Sequence, residues 1–414
     1  MNFDNMALYS ILKTIGIRFR ILWLKIQGVV ISKDNNMISF IPHGGMFDNG
    51  YDVFNYKSDN ALALLHYMII EHGISYKYRL ACDKRQYDVL HNRLKTEFPN
   101  IDIDCFPLFQ GEGSDFVIHK DLIKSKFIFM AESRPLYFKN SYHKVFFLNY
   151  FIPFKNDYGM REMYRQKYND LFDGSFTTSL INSYILSTDY NIPLSKFETL
   201  GFSRNDELLK PYSCEVLDTD IKNCVDYEVK KVILYTPTHR DYEKKSKVKR
   251  GVMGFDIDIT KLEDFLRKNN CVLVCKLHSA QNKEVFDGSI PQGVFIYKPN
   301  SSYGLCELMQ KSDFLITDYT SAYFDYLLLD KPVLFNYYDL DLYKKTRGFS
   351  YDPLEAILAG DIFINESSFY EHMRTLLDGI DKHALKRKFV RELVHKYYDT
   401  ASSKRICMHV FGNQ

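Results

Sequence analysis

The sequence predicts an α/β protein: two doubly wound, Rossmann-like domains facing a cleft, preceded by an amphipathic helix. Three observations carry this. Short apolar runs of strand length alternate with helical stretches along the whole chain, the pattern of parallel sheets covered by helices on both faces. The chain has 414 residues, too many for one ordinary core and suited to two. The alternation restarts after "ETLGFSRNDELLKP", which places the boundary near residue 200.

Residues 1–30 form the first element. Leu8, Ile11, Leu12, Ile15, Phe19, Leu22 and Ile26 recur at helical spacing. From Met6 to Val30 the only charges, Lys13, Arg18, Arg20 and Lys25, are all positive, and the only tryptophan, Trp23, lies here. Such a helix either lies in a membrane interface or packs on its own domain. Residues 31–200 then read as a first domain. Met37–Ile41 is a strand that ends in "PHGG", and "SDNALALLHYMIIEHGI" is a helix with Ser58 as N-cap and Gly73 as its stop. "YKYRLAC", "IDIDCFPL", "KFIFMAE" and "HKVFFLNYFIPF" are strands. Residues 201–414 read as a second domain with the strands "KKVILYT", "CVLVC", "GVFIY", "DFLIT" and "KPVLF", closed by C-terminal helices.

Composition narrows the function. Formal net charge is +2, which by itself suggests neither nucleic acid nor an acidic partner. None of the eight cysteines forms a CxxC pair and no zinc-ligand spacing is visible, so reduced thiols of a cytosolic protein are expected. No stretch reaches the roughly 20 apolar residues of a membrane span.

In doubly wound domains ligands bind beyond the carboxyl ends of the strands. The second domain carries its polar groups there: Pro237, Thr238, His239 and Arg240 after "VILY", Lys276 and His278 after "VLVC", Asp318, Thr320 and Ser321 after "FLIT". Arg204 and Asp206 stand near the hinge, and Asp325 follows Ser321 by one helical turn. Each has a plain reading as a cap, an ion pair or a solvated strand end. Together they make a pocket for a nucleotide diphosphate, with cations and hydroxyls for the phosphates.

The motifs "LGFSRND", "YTPTHRD", "KLHS", "SDFLITDYTSAYFDYLLLDKPVLF" and "DLDLYKKTRGFSYDPLEAILAG" resemble those of the CDP-glycerol glycerophosphotransferase family, teichoic-acid polymerase-like enzymes with a GT-B fold. The resemblance implies transfer of an alditol phosphate, typically glycerol phosphate, from a CDP carrier to a hydroxyl of a growing teichoic-acid-like or capsular polymer, with release of CMP. It implies that Arg204, Pro237, Thr238, Lys276, Leu277, His278, Thr320, Ser321 and Asp325 hold CDP-glycerol, and that His278 is catalytic or stabilises phosphate. Arg240 belongs to the same phosphate-facing loop. No cofactor or metal is implied, and nothing in the sequence points to nucleic acid.

One departure stands out. The family has a second histidine in a WHGTPxK element. The matching stretch here is "LNYFIPFKND", in which Pro153 and Lys155 agree but Tyr150 stands at the histidine. Either Tyr150 takes the role, although a phenol near pKa 10 is a weak base at neutral pH, or His43 enters the cleft instead, or donor, acceptor or activity differ. His239 is a further candidate. The basic loop "EKKSKVKRG", residues 243–251, and the N-terminal helix both suit a lipid-linked polymer acceptor at the cytoplasmic face of a membrane. Two other functions fit the same residues: a GT-B glycosyltransferase using a nucleotide sugar for surface polysaccharide, and a non-catalytic nucleotide-binding partner.

Overall fold

The fold is that of a computed structural model, which describes residues 22–43, 56–71, 75–109, 120–131, 136, 138–149, 152–155, 171–238, 253–255, 257–277, 290–298 and 301–412. Two parallel sheets organise it, each a set of apolar runs buried on both faces by helices. The first has seven strands: β1 (Asp34–Ile41), β2 (Lys77–Asp83), β3 (Ile103–Phe109), β4 (Ser125–Met130), β5 (Lys144–Phe147), β6 (Gly174–Thr177) and β7 (Phe197–Thr199). Their spatial order is β3-β2-β1-β4-β5-β6-β7. The second has six: β8 (Lys231–Thr236), β9 (Cys271–Cys275), β10 (Val294–Ile296), β11 (Phe314–Thr317), β12 (Val333–Asn336) and β13 (Gly360–Phe363), in the order β10-β9-β8-β11-β12-β13. Strand order therefore reverses between β1 and β4 in one sheet and between β8 and β11 in the other. These are the switch points where doubly wound sheets open a crevice.

The heavy aromatic content has a structural use. In the first sheet Phe40, Phe129 and Phe146 are register partners on neighbouring strands, and Phe176 follows on the next. Their rings stack in sequence, with centroids 5.2, 5.5 and 5.6 Å apart. Offset stacking of this kind adds about 0.5–1.5 kcal/mol per pair beyond the area buried.

Three expectations are corrected by this structure. The helix Asn60–Ile70 is capped by Asp59, whose carboxylate accepts from Ala61 N (2.7 Å) and Leu62 N (3.0 Å); Ser58 lies in the preceding 3-10 turn. "HKVFFLNYFIPF" does not continue as one strand. β5 stops at Phe147, because Asn149 turns the backbone into the left-handed region (φ 54°) and donates its amide to Phe176 O at 2.7 Å. The described residues beyond it cross to the other unit: Ile152 and Phe154 are buried in the core of the second sheet, with Phe154 against Phe324 at 5.3 Å. Finally, the C-terminal helices are shared between the units. Glu366–Leu377 and Ala384–Val394 pack on the second sheet, but Ser402–Phe411 returns to the first, burying Ile406 and Cys407 and setting Phe411 4.9 Å from Phe127. Asp206 fixes that return by accepting from Ser402 N (2.8 Å) and Ser403 N (2.7 Å) at the start of the helix. Gly201 (φ 93°) makes room for it, since a Cβ there would run into Ser402.

Of the N-terminal element, residues 22–30 are described and helical. Leu24 and Gly28 are buried, and Gly28 O accepts from Lys33 Nζ (2.7 Å) and Asn140 Nδ2 (2.8 Å). The opposite face, with Leu22, Trp23, Ile26, Val29 and Val30, is exposed.

Candidate active site

The second sheet's switch point is built by two loops tied together at their first residues. Thr236 and Thr317 end β8 and β11, and Thr317 Oγ1 donates to Thr236 O at 3.1 Å. Asp318 then accepts from Thr238 N with both oxygens at 2.9 Å, and from Tyr319 N. Asp318 thus ties the two loops together through their backbone. Tyr319, between Asp318 and Thr320, stacks on Tyr343 (centroids 3.8 Å) and Tyr337 (4.9 Å), and its hydroxyl donates to Asp339 at 2.9 Å. The loop bearing Thr320 is thereby clamped to the helix Leu340–Thr346, whose next residue is Arg347.

These loops bound a cleft of about 360 Å³. Pro237, Thr238, Leu277 and Thr320 line it, together with three cations: Lys276, Lys155 and Arg347. No aspartate or glutamate is among the described lining residues. Lys276 follows β9, is half-buried and lies 5.7 Å from the Tyr297 ring centroid. Burial holds its pKa below the ordinary lysine value. A bound anion would offset that burial cost.

Arg204 and Asp325 are brought together, but beside this cleft. Arg204 Nη2 donates to Asp325 Oδ2 at 2.8 Å, with both residues 8% exposed. The guanidinium also lies over Phe202, 4.8 Å from its centroid. Arg204 N donates to Asn60 Oδ1 (3.2 Å), and the Asn60 amide donates to Leu148 O (3.3 Å) and Asn149 O (2.8 Å), so the pair joins the two units. Asp325 Oδ1 is buried without a hydrogen-bond partner among the described residues. The pair lines a small cavity of about 40 Å³ with Lys57 and Asn205; Leu305 lines both spaces, which makes them neighbours. Behind the pair, His395 Nε2 donates to Phe324 O at 2.8 Å, and burial pushes its pKa down to about 4.

The remaining candidates divide. The helix after β11 is a single short turn, Ala322–Tyr326, and Thr320 Oγ1 accepts from Ala322 N at 3.3 Å. Ser321 makes no side-chain cap there and is not among the described lining residues. His43 follows β1 at the first sheet's switch point, and its backbone N donates to Asp59 Oδ2 at 3.0 Å; it is not among the described residues lining either cavity. His278, Tyr150, Arg240, His239 and residues 243–251 lie outside the described residues. Sequence reasoning does not place Arg347 in the site, although the motif "RGFSYD" begins with it, and it matches Lys155 to the family without giving it a role. His395 leaves no signal in the sequence, because only packing puts it behind Asp325.

Residues 54–412 match the family model described as CDP-Glycerol:Poly(glycerophosphate) glycerophosphotransferase. The chain belongs to this family. Its relatives include the teichoic acid glycerol-phosphate primase of Bacillus subtilis (strain 168), 32% identical over 54% of this chain and 53% of that protein. The teichoic acid glycerol-phosphate transferase of Staphylococcus aureus (strain NCTC 8325 / PS 47) is 26% identical over 55% of this chain and 57% of its own length. The chain thus spans about half the length of the curated relatives it matches. Among solved structures, the wall teichoic acid polymerase TagF (H548A) superposes with a TM-score of 0.71 at 20% identity, covering 98% of this chain and 96% of that one. A UDP-GlcNAc 2-epimerase from Neisseria meningitidis has a TM-score of 0.55 at 15% identity, covering 91% and 99%. Both likenesses concern the fold, which this glycerophosphotransferase-family chain shares with them as an α/β pair of parallel sheets.

Proposed function

We propose that this chain transfers an alditol phosphate, glycerol phosphate, from CDP-glycerol to a hydroxyl of a teichoic-acid-like polymer and releases CMP. The carrying observation is the cleft at the β8/β11 switch point: three cations, three threonines and no described acid around about 360 Å³. Thr238, Lys276 and Thr320 hold the pyrophosphate, with Pro237 and Leu277 as its apolar walls. In the reaction the acceptor oxygen bonds to the phosphorus that carries the alditol. The bond from that phosphorus to the bridging oxygen breaks, and its electron pair leaves with CMP. The hydroxyl proton passes to a base, assigned to His278 by its place two residues beyond Lys276. Positioning and charge neutralisation supply most of the acceleration in such a transfer. The acceptor is lipid-linked and the enzyme peripheral at the inner face of the membrane. The exposed apolar face of helix 22–30 with Trp23 supports that placement, and no described helix is long and apolar enough to cross a membrane.

The test is nucleotide release from CDP-glycerol, CDP-ribitol and nucleotide sugars with bacterial membranes as acceptor source. CMP from a CDP-alditol, lost in His278→Ala, is expected. A nucleoside diphosphate released from a sugar donor would establish the glycosyltransferase reading instead, and donor binding without turnover would leave a nucleotide-binding partner.

A further inference from the structure

Among the cations of the cleft, Arg347 is held differently from the others. Lys276 belongs to the second sheet. Arg347 and Lys155 flank the seam where the first unit's chain is stitched into the second. There Lys155 pairs with Phe349 in an antiparallel bridge, Ser350 N donates to Phe154 O (3.0 Å) and Ser350 Oγ donates to Lys155 O (2.9 Å). On the Arg347 side, Gly348 (φ 69°) ends the helix Leu340–Thr346 with its N donating to Tyr343 O at 3.3 Å. Phe349 then packs on Tyr343 (5.7 Å) and Phe154 (5.9 Å). The turn that carries Arg347 is therefore rigid, and it is locked through the Tyr343–Tyr319 stack to the Thr320 loop.

The guanidinium itself is not part of this scaffolding. Structural arginines of the chain are paired: Arg387 with Asp330 (2.9 Å) and Asp381 (2.8 Å), Arg405 with Asp399 (2.8 Å). Arg347 has no side-chain hydrogen bond or ion pair among the described residues, and it lines a cleft with no described acid. An arginine held by its backbone with its donors left for the cleft suits a planar, bidentate grip on phosphate.

We propose that Arg347 is a catalytic residue that grips the phosphate in transit, the one bearing the alditol, while the second sheet's Lys276 and Thr238 hold the nucleotide's own phosphate. The inference rests on the donor reading given above. Its geometric ground is the seam: Arg347 lines the cleft at the second sheet's switch point, beside the place where Lys155, on the segment crossing from the first unit, is bridged to Phe349. As the acceptor oxygen bonds to phosphorus and the bridging bond breaks, two of its N–H groups meet the equatorial oxygens. The acceptor proton goes to the base and not to Arg347, which stays charged throughout.

The experiment compares wild type, Arg347→Gln and Arg347→Lys for affinity toward CMP and CDP-glycerol, and for the rate of CMP release. Arg347→Gln is expected to leave CMP affinity within about twofold and to lower kcat about 100-fold, the scale of losing one preorganised donor set at a phosphoryl centre. Arg347→Lys is expected to recover only part, since an ammonium cannot reproduce the fork. Added guanidinium ion is expected to restore some rate to Arg347→Gln. Equal weakening toward CMP and CDP-glycerol, or a lowered melting temperature with CMP binding lost, would mark a nucleotide or scaffold role and overturn the proposal. An undiminished kcat would also overturn it. If wild type binds neither nucleotide and releases no CMP, the donor reading falls and takes this inference with it. A working wild type beside an unaffected variant removes Arg347 alone.

Discussion

The two sheets have the same parallel, doubly wound design, yet the carboxyl ends of their strands are used in opposite ways. At the first switch point the described polar groups Asp59, Asn60 and Asn149 are bonded within the protein. Asp59 caps a helix and holds His43 N, Asn60 ties Leu148, Asn149 and Arg204 together, and Asn149 closes onto Phe176. At the second, Asp318 and the tyrosine stack build the frame, and Lys276 and Arg347 line the cleft with no ion pair to a described carboxylate. Topology therefore offers a site at each sheet. Whether one exists is set by whether the side chains there are satisfied by the protein or left for a ligand.

This contrast can be broken by mutation, and the sharpest break is at the seam between the units. Arg204→Met should cost about 3–5 kcal/mol, because it leaves the Asp325 carboxylate buried without its partner. Denaturant unfolding would measure it, and a loss below about 1 kcal/mol would mean that the pair is solvated and serves the ligand alone. The next effect is a pH dependence. Folded His395 has its pKa pushed down to about 4, whereas an unfolded histidine titrates near 6.5. Between these values the unfolded chain binds more protons, so stability is full above roughly pH 6.5 and falls as pH drops towards 4, by on the order of 3 kcal/mol. Urea unfolding at several pH values should show that slope in wild type and a shallower one in His395→Gln. The smallest stability effect should come from the cleft. Lys276→Met removes a partly desolvated cation with no described carboxylate partner, so stability should stay within about 0.5 kcal/mol or rise. CDP-glycerol affinity should nevertheless fall by about ten- to a hundredfold, as expected for losing a charge-assisted hydrogen bond. A variant destabilised as strongly as Arg204→Met would put Lys276 on the structural side of the comparison.

Much of the second sheet is legible in the amino-acid sequence. Its strands are continuous apolar runs bounded by Thr-Pro, Lys-Leu and Asp-Tyr-Thr, so local pattern alone places Thr238, Lys276 and Thr320 at strand ends. The first sheet is harder to read. "HKVFFLNYFIPF" is apolar throughout, and apolarity cannot tell a strand from a segment that crosses to another core. Asn149 is the one local sign of the break. Arg204 and Asp325 both stand out in the sequence as ligand-holding residues. Their mutual ion pair, between residues far apart in the chain, has no sequence signature, and the same holds for His395 behind them.

The sequence by itself determined the class of fold, the family, and the strand ends where chemistry belongs, because periodicity and short motifs are local properties that the chain carries in one dimension. Only the tertiary structure decided which polar groups are already partnered and which meet in space. Asp318 became scaffold, Arg204 and Asp325 became a seam, and Lys155 and Arg347 reached one cleft from distant parts of the chain. The physical reason is that hydrogen bonding and burial are settled by three-dimensional neighbours. A side chain's availability to a ligand is what remains after those neighbours have taken their share.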